Sequence, residues 1–243
     1  MTRPSSSPAI PPTGLLFRPA AARFHSQLDW LESWHTFSFA SHVDPAWMGF
    51  GPLRVINDDR IAAGCGFGMH PHRDMEIVTV MVEGQLHHRD SLGHTAVLRA
   101  GEVQRMSAGT GVVHSEMNTG AQPCRLLQIW IEPDQRGTAP AYEQQPFAIG
   151  SGWTPLIDPH GAGGAMAIQR AVRLWRARPL PGGVLRSPLH PARLGWLQVI
   201  DGGLEGPWRL GRGDGLGLQP GEWREPLVAD GQQGADLLLF ELA

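Results

Sequence analysis

From about residue 15 to the C-terminus, short apolar runs alternate with clusters of Gly, Pro, Asn and Asp. Runs at 77–82, 96–98, 126–131, 196–200 and 237–240 are each bounded by such breakers. Runs of this length with turn chemistry at both ends predict β-strands, and many of them in series predict an all-β sandwich or barrel. No sustained 3.6-residue period appears, and the one short helical turn expected lies at 28–34. Residues 1–13 are polar and proline-rich, with little to bury, and are expected to form a disordered tail.

The pattern also repeats. Val82-Glu83-Gly84-Gln85-Leu86 resembles Ile200-Asp201-Gly202-Gly203-Leu204, and Ala100-Gly101-Glu102-Val103 resembles Pro220-Gly221-Glu222-Trp223, in the same order in both copies. In each copy an apolar strand ends in an acidic-Gly turn, a hairpin follows, and a second strand precedes Gly-Glu. Two such units predict two tandem β-barrels of the jelly-roll kind, divided into 14–149 and 150–243 with the joint in the glycine-rich stretch 150–164.

Composition narrows the partners. A net charge of −3 with no basic stripe argues against a nucleic-acid binder. Two cysteines, Cys65 and Cys124, are too few for a disulfide framework. The N-terminus lacks the apolar stretch of a signal peptide, and no run of about 18 apolar residues could span a bilayer. A cytoplasmic protein with reduced thiols and no membrane contact is expected.

The chemistry concentrates in two segments. In Gly64-Cys65-Gly66-Phe67-Gly68-Met69-His70-Pro71-His72, two imidazoles stand two residues apart, and on a strand such residues share a face. In Gly109-Thr110-Gly111-Val112-Val113-His114-Ser115-Glu116 the same spacing holds for His114 and Glu116. Three imidazoles and a carboxylate suit a divalent first-row metal, whether iron, nickel, copper, zinc or manganese. Glu76 is a competing fourth ligand. Gly64, His70, His72 and Glu76 fit the generic cupin pattern of Gly, five residues, His-x-His, then Glu, and physical reasoning does not choose between Glu76 and Glu116.

A family resemblance does choose. His35-Thr-Phe-Ser-Phe, Leu53-Arg-Val-Ile-Asn-Asp-Asp59, His70-Pro-His-Arg-Asp-Met-Glu76, His88-Arg-Asp-Ser-Leu-Gly93, Met106-Ser-Ala-Gly-Thr-Gly-Val-Val-His-Ser-Glu116 and Gln128-Ile-Trp-Ile resemble the pirin family, and within it the bacterial pirin-like quercetinases. The motifs span roughly 15–147. The resemblance implies a double cupin with one metal, Fe(II) by preference, held by His70, His72, His114 and Glu116, and gives Glu76 a supporting role. It implies a quercetin (flavonol) 2,3-dioxygenase acting on an aromatic substrate and O2, with Glu116 as general base. The alternative it carries is a non-catalytic regulatory or redox-sensing protein with a protein partner.

Aligning Gly202 with Gly84 places only His190 on a ligand position, opposite His72, so the C-terminal barrel is expected to lack a metal. Phe50, Phe67, Met69 and His35 are candidate substrate contacts. His87, His88 and His94 are expected to be surface or edge residues at a hairpin, and Cys65 a structural thiol.

Overall fold

The computed structural model describes residues 15–243, so the tail expected at 1–13 lies outside the described residues. The described residues are all-β, built from three sheets. A seven-stranded antiparallel sheet runs in the spatial order Ala141–Pro146, Glu102–Ser107, Glu76–Glu83, Cys124–Ile131, Leu53–Ile61, Leu31–His35, Phe24–Gln27. A four-stranded sheet, Gly66–His72, Val112–Met117, Gln85–Asp90, Thr95–Arg99, completes the N-terminal barrel. A ten-stranded sheet carries the C-terminal half, with Leu194–Glu205 and Ala235–Leu242 at its centre. The first described strand, Leu16–Arg18, crosses over and pairs with Gly215–Leu218 of that sheet. Residues 28–34 form no helical turn, because Leu31–His35 is a strand whose Leu31, Ser33 and His35 alternate inward and pair with Leu53–Ile61.

The repeat is conformational as well as sequential. Gly84 and Gly202 both take φ near +70° (+75° and +69°), where a Cβ is strained. A Cβ on Gly202 would also sit 2.2 Å from the Gly234 carbonyl oxygen, and one on Gly84 2.9 Å from Cys124 Cβ. Just before each glycine the register slips by one residue: Val82 and Ile200 are the extra residues opposite Cys124–Ile131 and Ala235–Leu242. The bulge bends both strands at equivalent points.

The cores explain where a site can form. Val78, Val80, Leu127, Ile129 and Ile131 point out of the N-terminal barrel and pack with Leu156, Trp196, Leu238 and Phe240 of the other half in one cluster. The alternate residues of the same strands point inward. Inside the N-terminal barrel, apolar packing is confined to two small clusters, one around Met81, Leu86, Leu98 and Leu126 and one around Ile77, Met106 and Val112. The interior of the C-terminal barrel is filled by a single large cluster that includes Leu197, Leu204, Leu216, Leu227 and Leu239.

Candidate metal centre

Polar residues occupy the space between the two inner clusters of the N-terminal barrel. Among the described residues strand Gly66–His72 is an edge, and its one neighbour there, Val112–Met117, sets His70 opposite His114 and His72 opposite Val112. A register shift between His114 and Glu116 then brings Glu116 opposite Phe67. The ring centroids of His70 and His114 are 4.4 Å apart, those of His70 and His72 4.8 Å, and those of His72 and His114 4.9 Å. The candidate ligand atoms of these three histidines lie within 4.8 Å of one another. A second group formed on the same criterion joins His114 and Glu116 with His88.

The local chemistry fits a divalent cation. His114 is completely buried, and neither of its ring nitrogens has a hydrogen-bond partner. Such a group is costly to bury unless something coordinates it. The Nδ1 of His70 lies 2.7 Å from the Gly68 carbonyl, so Nδ1–H donates there and Nε2 is left to ligate. Burial, reinforced by the neighbouring histidines, holds the imidazole of His72 down at about 4 and that of His114 at about 3. Both are therefore neutral, the form that binds a metal. Glu116 is 1% exposed; burial, then the charge of Asp59, pushes its carboxyl up to about 7.

A buried carboxylate needs donors, and two strands of the large sheet supply them. Thr79 donates to Gln128 Oε1 at 2.7 Å, which turns the amide so that Gln128 Nε2 donates to Glu116 Oε2 at 2.8 Å. Thr79 and Gln128 belong to one register row that crosses the sheet through His35, Asn57, Gln128, Thr79, Gln104 and Gln144. Glu76 takes no part in either group. It accepts from Ser107 Oγ at 2.7 Å, away from the three histidines.

A cavity of about 340 Å³ opens onto this cluster, lined on the ligand side by His70, His72 and Glu116, elsewhere by apolar residues such as Leu31, Phe39, Phe67 and Trp130, and along one wall by polar residues of Leu31–His35 and Leu53–Ile61. The Trp130 indole stands edge-on to His72, with centroids 4.9 Å apart. Phe67 and His35 line the cavity. Phe50 does not: it is buried between the two halves, 5.5 Å from the Trp196 ring centre. Met69 is 56% exposed, since its parity on the strand is opposite to that of the histidines. His88 is also not a surface residue. It is fully buried, its Nε2 3.1 Å from Asp90 Oδ2, and its ring centroid is 5.3 Å from that of His114. The inward alternation of Leu86, His88 and Asp90 was the available signal. His190 is exposed in a loop, and among the described residues both candidate metal-binding groups lie in the N-terminal barrel.

The profile of the family described as Pirin matches residues 17–131, and that of the quercetinase C-terminal cupin domain matches 156–242. The chain is 40% identical over 231 residues to a protein of Escherichia coli K12 named quercetin 2,3-dioxygenase, covering 94% of this chain and 98% of that one. It is 41% identical over 222 residues to a putative quercetin 2,3-dioxygenase of Pasteurella multocida, covering 90% of this chain and 94% of that one. Among solved structures, the bacterial pirin YhhW of E. coli in complex with nickel(II) superposes with a TM-score of 0.87 at 40% identity, over 94% of this chain and 98% of that one.

Proposed function

The chain belongs to the pirin family, and on that premise we propose that it is a metal-dependent dioxygenase that cleaves a flavonol-type aromatic substrate with O2. The observation that carries the proposal is the cavity. Its surface is mainly apolar, it is of substrate size and it is open to the clustered ligands. A purely regulatory metal site needs no such chamber, which favours the enzyme over the sensor. Names borne by 40% identical relatives and the nickel(II) complex of YhhW support the same reading.

In this proposal His70, His72, His114 and Glu116 hold one divalent ion, Fe(II) by preference with nickel as the alternative that the E. coli relative supports. When bound, the metal supplies Lewis acidity at the flavonol 3-hydroxyl and an open position for O2. The protein does the rest. Phe39, Phe67 and Trp130 give a flat ring system an apolar wall to pack against and exclude water. Glu116 is the carboxylate placed to receive the proton released by the 3-hydroxyl. Gln128, oriented by Thr79, keeps the carboxylate aimed into the cavity as it does so.

The test is an oxygen-electrode assay of metal-loaded protein with quercetin, with carbon monoxide measured in parallel. Matched consumption of flavonol and O2 with release of carbon monoxide is expected. Full metal occupancy without turnover would reject the proposal.

A further inference from the structure

The wall of the cavity formed by Leu31–His35 and Leu53–Ile61 is polar in an otherwise apolar chamber. Ser33 pairs across the sheet with Asp59, and His35 with Asn57. All four line the cavity and none is more than 3% exposed. Four polar side chains in such a place require partners, and they supply most of these to one another. Ser33 donates to Asp59 Oδ1. His35 Nδ1 lies 2.8 Å from Asn57 Oδ1, and Ser26 Oγ lies 2.9 Å from His35 Nε2 and 3.0 Å from His42 Nε2.

The protons follow from these contacts. Asn57 Oδ1 can only accept, so His35 carries its proton on Nδ1 and accepts from Ser26 at Nε2. Ser26 has one proton, so His42 must donate to it from Nε2. The relay fixes the Asn57 amide with its oxygen toward His35 and its NH2 unused. Among the described residues, no hydrogen bond reaches Asn57 Nδ2 or Asp59 Oδ2. One free donor and one free acceptor, two residues apart on the strand Leu53–Ile61 and so on the same face, are left facing the cavity.

We propose that Asn57 and Asp59 form a hydroxyl-reading subsite that recognises ring hydroxyls of the substrate remote from the metal. This inference rests on the flavonol reading given above and names what selects among flavonols. A phenolic hydroxyl is one donor and an acceptor, and it satisfies Asp59 Oδ2 and Asn57 Nδ2 together. A ligand lacking the hydroxyl leaves both groups dry and unpaired, which is how a buried polar site rejects an analogue.

The experiment is equilibrium binding, without O2, of quercetin and of 3-hydroxyflavone to the metal-loaded full-length protein. The two ligands share the metal-facing 3-hydroxyl and differ only in ring hydroxyls. The wild type is expected to prefer quercetin by about 10- to 100-fold. Asp59→Leu is expected to erase that preference, by weakening quercetin and strengthening 3-hydroxyflavone, with metal content unchanged. Asp59→Asn, which keeps the volume, is expected to reduce the preference several-fold and covers the case in which the leucine variant does not fold. Equal wild-type affinities, or an Asp59 variant that weakens both ligands alike, would overturn the subsite. Because binding is read without O2, failure of turnover alone would end the dioxygenase reading and leave the preference standing.

Discussion

Replacing Gln128 with leucine isolates what the polar row beneath Glu116 contributes. The change keeps the side-chain volume and removes the 2.8 Å bond from Nε2 to Glu116 Oε2. A hydrogen bond to a charged group is worth about 1.5–3 kcal/mol. At 1.36 kcal/mol per pH unit, losing it raises the carboxyl by roughly one to two pH units above its starting value of about 7. At pH 7 the wild-type carboxyl is about half ionised, and in Gln128→Leu only about 1–10% is. Metal and proton compete for the same oxygens, so the nickel(II) dissociation constant at pH 7 should rise about 5- to 50-fold. The effect fades with alkali: at pH 9 the difference should shrink to about twofold or less, because half or more of the variant carboxyl is then ionised. His72 and His114, held at about 4 and about 3, stay neutral throughout and do not mask the effect. Thr79, freed from Gln128, lies 3.4 Å from Glu116 Oε1 and can donate there instead. The double variant Gln128→Leu/Thr79→Val removes that substitute and should show the larger loss. Calorimetric titration at the two pH values decides. A loss of affinity equal at pH 7 and pH 9 would show that Gln128 acts through packing alone and refute the reasoning.

The same carboxyl makes a stability prediction. Its pKa in the folded, metal-free protein is about 7, above the unfolded value near 4.5, so the folded state binds the extra proton between them. Folding stability from this group is then greatest at low pH and falls as pH rises from about 4.5 through 7. Glu116→Gln removes that dependence, so its stability relative to wild type should grow across the window, by up to about 3 kcal/mol. Urea unfolding of the metal-free proteins at pH 5 and pH 8 measures it, and a constant difference would be contrary. Gly202→Ala should destabilise by about 1–3 kcal/mol, since the new Cβ meets the Gly234 carbonyl at a positive φ. Its effect should appear in the unfolding midpoint while metal affinity in the other barrel stays the same.

Much of the fold was legible because apolar runs, turn residues and the repeat all pointed the same way. Runs 77–82 and 126–131 are nearly continuous because their strands are covered on both faces, by the barrel interior and by the other half of the molecule. In such strands a polar residue has to have a purpose. Thr79 and Gln128 interrupt the runs at inward positions, and they are the residues that hold Glu116. Read by parity, they could have been found from sequence. His88 could have been found the same way, since it shares its face with Leu86, but its place in a hairpin suggested exposure. Two features were not legible. Phe50 sits at the junction of the two halves, and no local pattern encodes that packing. The pairing of Asn57 and Asp59 with His35 and Ser33 depends on register between strands brought together only by the fold.

The central claim is that the N-terminal barrel alone holds a single divalent metal through His70, His72, His114 and Glu116. Elemental analysis of the purified protein, beside His114→Ala and His190→Ala, tests it most directly. One metal per chain is predicted for the wild type and for His190→Ala, and none for a folded His114→Ala. Full metal content in His114→Ala, or loss of metal in His190→Ala, would contradict it.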